Sequence, residues 1–106
     1  MRFLSRIEEI ILLAIWKQKD NAYGMSIRNQ VAEDTGVTWL SGAIYAPLGR
    51  LLKNEYVSST KGEATPERGG RHKIYYHLTS KGKQKLVEVQ KVNNTIWMGV
   101  PAIKLD

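Results

Sequence analysis

Ser41-Gly-Ala-Ile-Tyr-Ala-Pro-Leu-Gly-Arg-Leu-Leu-Lys-Asn54 is the stretch on which the fold turns. Read as a helix, it places Ile44, Leu48, Leu51 and Leu52 on one side. Gly42, Tyr45, Ala46, Gly49, Arg50 and Lys53 fall on the other. Ser41 suits the N-cap, because its hydroxyl can accept from the free amides of a first turn. Pro47 removes one amide and crowds the carbonyl of Ala43, so a kink or a late start is expected. The outer face combines small residues, one tyrosine and two cations. An ordinary solvent face is the plain reading. Two exposed glycines, at ~1 kcal/mol each relative to alanine, favour a face that something must approach closely.

Two helices precede this one. Residues 4–17 carry Leu4, Ile7, Ile11, Ala14 and Ile15 at helical spacing. Ile10, Leu12, Leu13 and Trp16 widen that stripe, so the helix is central or packed on two sides. Asp20-Asn21 breaks it. A second helix runs from Gly24 to Thr35, with Ile27 and Val31 inward and Gly36 as the left-handed residue that ends it. Val37 to Leu40 form a short extended connection.

The period changes to 2 after Tyr56. Tyr56–Thr60 and Lys73–Leu78 suit strands, joined by a glycine-rich, basic segment from Lys61 to His72. Thr79 or Ser80 caps a last helix reaching about Met98, and Gly99 and Pro101 stop it. The order helix, helix, helix, strand, strand, helix is a winged helix-turn-helix. The fold class is mainly α with a small β-hairpin (α+β). Residues 1–79 form the winged helix-turn-helix, 80–98 a C-terminal dimerisation helix and 99–106 a tail.

Composition agrees with one globular domain: 106 residues, 42% hydrophobic and 25% charged. The formal charge is +6 and the isoelectric point about 9.7, which favours polyanionic partners. Residues 1–40 hold five basic and five acidic side chains; residues 41–106 hold eleven and five. The excess therefore lies entirely in the part containing the third helix and the wing, although a solvated surface gives the same sum. No apolar run spans a bilayer and no signal-peptide layout opens the chain, so a cytoplasmic protein without membrane contact is expected.

Catalytic chemistry finds little support. Cysteine is absent, which excludes disulfides, thiolate zinc sites and a thiol nucleophile. His72 and His77 lack partner ligands at metal spacing. Ser41 has no base or orienting carboxylate nearby. Gly69-Gly70 lacks the strand-to-helix setting of a nucleotide loop. The expectation is no enzyme, no metal and no cofactor.

Double-stranded DNA is the partner these faces suit. The second helix of a helix-turn-helix pair enters the major groove. Ser41, Gly42, Tyr45, Ala46, Gly49, Arg50 and Lys53 would face it, with Arg68, Gly69, Gly70, Arg71 and Lys73 contributing from the wing. Arginines suit phosphates and narrow minor grooves. The last helix carries Leu86, Val89, Asn93 and Ile96 at coiled-coil spacing, with Trp97 beside them. It either packs on its own domain, against the apolar first helix, or forms a homodimer; the surplus of apolar residues favours the dimer. The alternative function is a winged-helix protein-interaction module that does not read DNA.

Several separate motifs occur in a telling order: Leu4-Ser-Arg-Ile-Glu-Glu-Ile-Ile-Leu-Leu-Ala-Ile15, Asn21-Ala-Tyr-Gly-Met-Ser-Ile27, Gly42-Ala-Ile-Tyr-Ala-Pro-Leu-Gly-Arg-Leu51, Thr65-Pro-Glu-Arg-Gly-Gly-Arg71 and Tyr75-Tyr-His-Leu-Thr79. Over residues 4–98 the chain resembles PadR-like transcriptional regulators. That resemblance implies a winged helix, repression of genes and a homodimer built through the last helix, often packing with the first, which here would bring in Leu4, Ile7 and Ile11. It implies DNA contacts at Tyr45 and its neighbours and around Gly70 and Arg71. Several members are released from DNA by phenolic or drug-like aromatic compounds held between aromatic side chains at the dimer interface. Trp97 lies on the corresponding helix and equally suits a plain interface position. The short last helix implies the compact branch, without a large ligand-binding C-terminal domain.

Overall fold

A computed structural model describes residues 3–64 and 72–106. Helix α1 spans Arg6–Gln18, two residues later than its apolar pattern begins. Ser5 sets that start: its Oγ accepts from the Glu8 amide at 3.2 Å, and the Ser5 amide donates to Glu8 Oε1 at 2.8 Å. This reciprocal capping box satisfies two amides that the helix itself leaves unpaired. A 3₁₀ turn, Lys19–Asn21, follows.

Helix α2 spans Gly24–Thr35 and ends at Gly36, whose φ of 76° is the left-handed cap expected there. Helix α3 spans Ser41–Lys53. Two expectations change here. Leu40, not Ser41, is the N-cap, and it offers no side-chain acceptor. Its extended backbone and the bond from the Ala43 amide to its carbonyl (3.0 Å) start the helix one residue early. Pro47 neither delays nor interrupts α3: it is buried within it. Burying the ring on the core side offsets part of the cost of the lost amide bond.

Glu55, at φ 63°, turns the chain out of α3, and the Tyr56 amide bonds back to Leu51. Strands β1 (Val57–Ala64) and β2 (His72–Leu78) pair antiparallel, Val57 opposite Leu78 and Thr60 opposite Tyr75, with an irregularity between Lys61 and Ala64. The hairpin is anchored to the helices through the α1–α2 connection. The Tyr76 amide donates to Ala22 O at 2.8 Å, and Tyr23 forms a bridge with Tyr75. Helix α4 spans Ser80–Trp97, capped by Thr79, whose hydroxyl accepts from the Gly82 amide at 3.0 Å.

The core lies where α1, α2 and α3 meet and the hairpin closes over them. Ile11, Leu12, Ala14 and Ile15 of α1 join Ile27 and Val31 of α2, Ile44, Leu48 and Leu51 of α3, and Ala22, Val57 and Tyr76. Ile11 is therefore spent in the core of its own chain at 0% exposure and has no surface for a dimer partner. The wide stripe of α1 divides as a helix packed on two sides must: Leu13 and Trp16 stay exposed and face α4. No described helix is long and apolar enough to cross a membrane.

Candidate nucleic-acid interface

The burial of α3 separates its two faces. Ile44, Pro47, Leu48 and Leu51 are buried, whereas Ser41, Gly42, Tyr45, Ala46, Gly49, Arg50 and Lys53 are all exposed. Gly42 and Gly49 have open space where a Cβ would stand. Neither glycine is needed by the fold, which leaves a low, unobstructed ridge on the surface.

Tyr45 is half exposed, but its hydroxyl is not free to reach outward. A Cβ built on Gly24 would overlap the Tyr45 hydroxyl, so the phenol lies against the first turn of α2. The Tyr23-Gly24 pair thus admits a side chain from α3, a contact that spacing along one chain cannot reveal. Tyr45 also stands near Tyr76, whose phenol is held above its ordinary pKa first by burial and second by Tyr45.

Arg50 pairs with Glu8 across the interface of α3 and α1, Nε to Oε2 at 3.6 Å. The carboxylate is nearly buried and the guanidinium about half exposed. Burial alone would raise the pKa of Glu8. Bonds from the Ser5 amide and hydroxyl, and the nearby Arg50 charge, outweigh it and hold the carboxyl below its ordinary value. The sequence pattern missed Glu8 as a partner of the outer face. Its signal was present in the Ser5-x-x-Glu8 spacing, which a capping box alone explains.

At the wing base, Lys73 Nζ sits 4.2 Å from the centre of the Tyr23 ring, and Tyr23 meets Tyr75 edge-on at 6.0 Å. These contacts hold a cation beside the start of α2. Arg68, Gly69, Gly70 and Arg71 lie outside the described residues. His72 and His77 are strand residues of β2: His72 Nδ1 meets Gly62 O at 2.7 Å and His77 Nε2 meets Thr60 Oγ1 at 3.0 Å. Among the described residues no group of acidic and histidine side chains could hold a metal ion.

A second surface, between α1 and α4, is largely apolar. An open groove of about 450 Å³ runs between α1 and α4, lined by Leu13, Trp16, Leu86 and Val87 with Glu9 and Lys83 at its margins. Lys83 Nζ stands 5.2 Å from the Trp16 ring centre. Leu4, Ile7 and Leu86 are partly buried against the core. Val89 is intermediate in exposure. Asn93 reaches Glu9 of its own chain at 3.5 Å. Ile96 and Trp97 are each 64% exposed, and Trp97 does not line the groove.

The profile of the transcriptional regulator PadR-like family matches residues 11–88. A PadR family transcription regulator from hypervirulent Clostridium difficile is 27% identical, with 88% of each chain covered and a TM-score of 0.66. A transcriptional regulator from Clostridium thermocellum is 28% identical, with 90% of each chain covered and a TM-score of 0.64. A PadR-like transcriptional regulator from Bacillus cereus is 25% identical, covering 89% of this chain and 93% of its own, at a TM-score of 0.65. No curated protein sequence matches the chain. An exposed, low-profile α3 followed by a β-hairpin, on a chain that this family's profile spans over most of its length, makes it a member of the PadR-like family: a DNA-binding transcriptional regulator and not an enzyme.

Proposed function

We propose that the chain represses transcription as a homodimer that lays α3 of each copy into successive major grooves and is released by a flat aromatic effector. The observation that carries DNA reading is the face of α3, where Gly42, Ala46 and Gly49 present no bulk and Arg50 and Lys53 flank them. Ser41, Gly42, Ala46 and Gly49 approach bases and backbone, and Tyr45, its hydroxyl held against Gly24, meets them with the exposed part of its ring. Arg50, Lys53 and Lys73 neutralise phosphates, joined by the wing residues Arg68, Gly69, Gly70 and Arg71. On this reading residues 1–79 bind DNA, 80–98 assemble the dimer and 99–106 form a tail.

Dimerisation is supported by apolar surface that the single chain leaves uncovered: Val87, Ile96 and Trp97 on α4 and Leu13 and Trp16 on α1. Leu4, Ile7, Leu86, Val89 and Asn93 would border that interface. A flat ligand would stack against indole rings there, Trp16 as well as Trp97.

A gel shift on DNA from upstream of the gene tests the reading face. Tyr45→Ala is expected to weaken binding by roughly tenfold, about 1.4 kcal/mol, while the chain stays folded by circular dichroism. Lys53→Ala is expected to lower the slope of log affinity against log salt by about 1. Undiminished binding and slope in both variants would remove α3 as the reading helix.

A further inference from the structure

Leu40 is the residue at which α3 makes least sense as a free helix. It occupies the N-cap, where Ser, Thr, Asp or Asn would accept an orphan amide and where leucine ranks among the poorest choices. No side chain replaces it as acceptor. Its own side chain joins no core: it is 79% exposed. A single exposed leucine needs no explanation by itself. A leucine that is exposed and also displaces a cap, at ~1 kcal/mol of helix stability, does need one.

The backbone on both sides of Leu40 is held. Arg28 Nε donates to the Trp39 carbonyl at 2.6 Å. The Leu40 carbonyl accepts from the Ala43 amide at 3.0 Å. Leu40 is therefore presented outward from a fixed turn, immediately before exposed Ser41 and Gly42. Val37, in the same turn, is also half exposed. The N-terminal residues of a recognition helix are the ones that meet base edges. In the major groove, apolar contact is informative at one group only, the C5-methyl of thymine.

We propose that Leu40 is a specificity-determining residue that recognises one thymine methyl in each half-site. The proposal rests on the reading of α3 as the DNA-facing helix. Leu40 removes that methyl from water and discriminates against a base pair that lacks it. The neighbouring polar residues are left to set register on the backbone.

The test separates Leu40 from the underlying reading. Duplexes are enriched with the full-length chain from a random-sequence pool, and each thymine of the tightest duplex is replaced in turn by deoxyuridine, which lacks only the methyl. The wild-type chain is expected to lose about fourfold in affinity at one position per half-site, the effect of one methyl-sized group leaving contact. Leu40→Ala is expected to bind the thymine and deoxyuridine duplexes equally. Leu40→Ser, which restores a capping hydroxyl, is expected to be equally blind to the methyl and at least as heat-stable as wild type, so lost discrimination cannot come from unfolding. No methyl-sensitive position in wild type, or a loss that persists in both variants, overturns the assignment to Leu40 while leaving DNA binding intact. Failure to enrich any duplex, with no salt-sensitive binding, overturns the DNA-facing reading of α3 together with it.

Discussion

Glu8 illustrates how one side chain serves two elements. It completes the capping box that starts α1, and it faces Arg50 on α3. Its folded pKa lies below the ordinary value near 4.5. A depressed carboxylate stabilises the fold fully above the unfolded pKa and loses that contribution as pH falls through the folded one. The acid limb of the stability profile should therefore include Glu8. Glu8→Gln keeps an acceptor for the Ser5 amide but carries no charge. Its urea midpoint should lie below that of wild type near neutral pH and converge with it as the pH falls below 4.5 and through the lowered folded value. Parallel pH profiles would mean that Glu8 contributes nothing through its charge. The Ser5–Glu8 spacing was legible in the sequence. The Arg50 pairing was not, because those residues are brought together only by the crossing of α1 and α3.

At the scale of elements, α4 is packed on the turn between α3 and β1 through a glycine. Gly82 is buried on the first turn of α4, and a Cβ there would overlap the Tyr56 carbonyl oxygen and stand 3.1 Å from its carbon. That neighbour is backbone and cannot rotate aside. Gly82→Ala should therefore destabilise the fold by about 1–3 kcal/mol, although alanine is the better helix former by ~1 kcal/mol. Thermal or urea unfolding decides the sign, and an increase in stability would mean that the turn at Tyr56 yields freely. Helix α3 carries the complementary lesson. Its periodicity predicted both faces residue by residue, while Ser41 is not the cap and Pro47 does not delay the start. A cap is settled by the backbone that enters the helix, and a buried proline ring is accommodated by what it packs on. Neither is written in local spacing.

For the whole molecule, two surfaces differ in character. One presents the exposed ridge of α3 and the base of the wing. The other presents the α1–α4 groove and the apolar end of α4. If that end holds a second copy, removing its largest side chain should release it. Trp97→Ser is expected to raise the dimer dissociation constant by about tenfold or more, read by sedimentation, since burying a tryptophan is worth a few kcal/mol. An unchanged dimer would remove Trp97 from the interface. Tryptophan fluorescence titrated with flat aromatic compounds addresses the effector, and a flat response across a broad panel would dismiss it. Weakening the dimer should also weaken DNA binding, because a linked second half-site binds intramolecularly and adds its own phosphate contacts.

By itself the sequence determined the element order, the inward and outward faces of α3, the left-handed stop at Gly36, the alternating strands and the surplus charge after residue 41. Each follows from short-range periodicity or from the conformational limits of one residue type. Only the tertiary structure decided that Ile11 is core and not interface, that Tyr45 lies against Gly24, that Arg50 faces Glu8 and that Leu40 stands exposed where a cap belongs. Those four outcomes depend on how helices distant in sequence cross. The crossing is set by the packing of the whole core, where every buried side chain competes for the same volume.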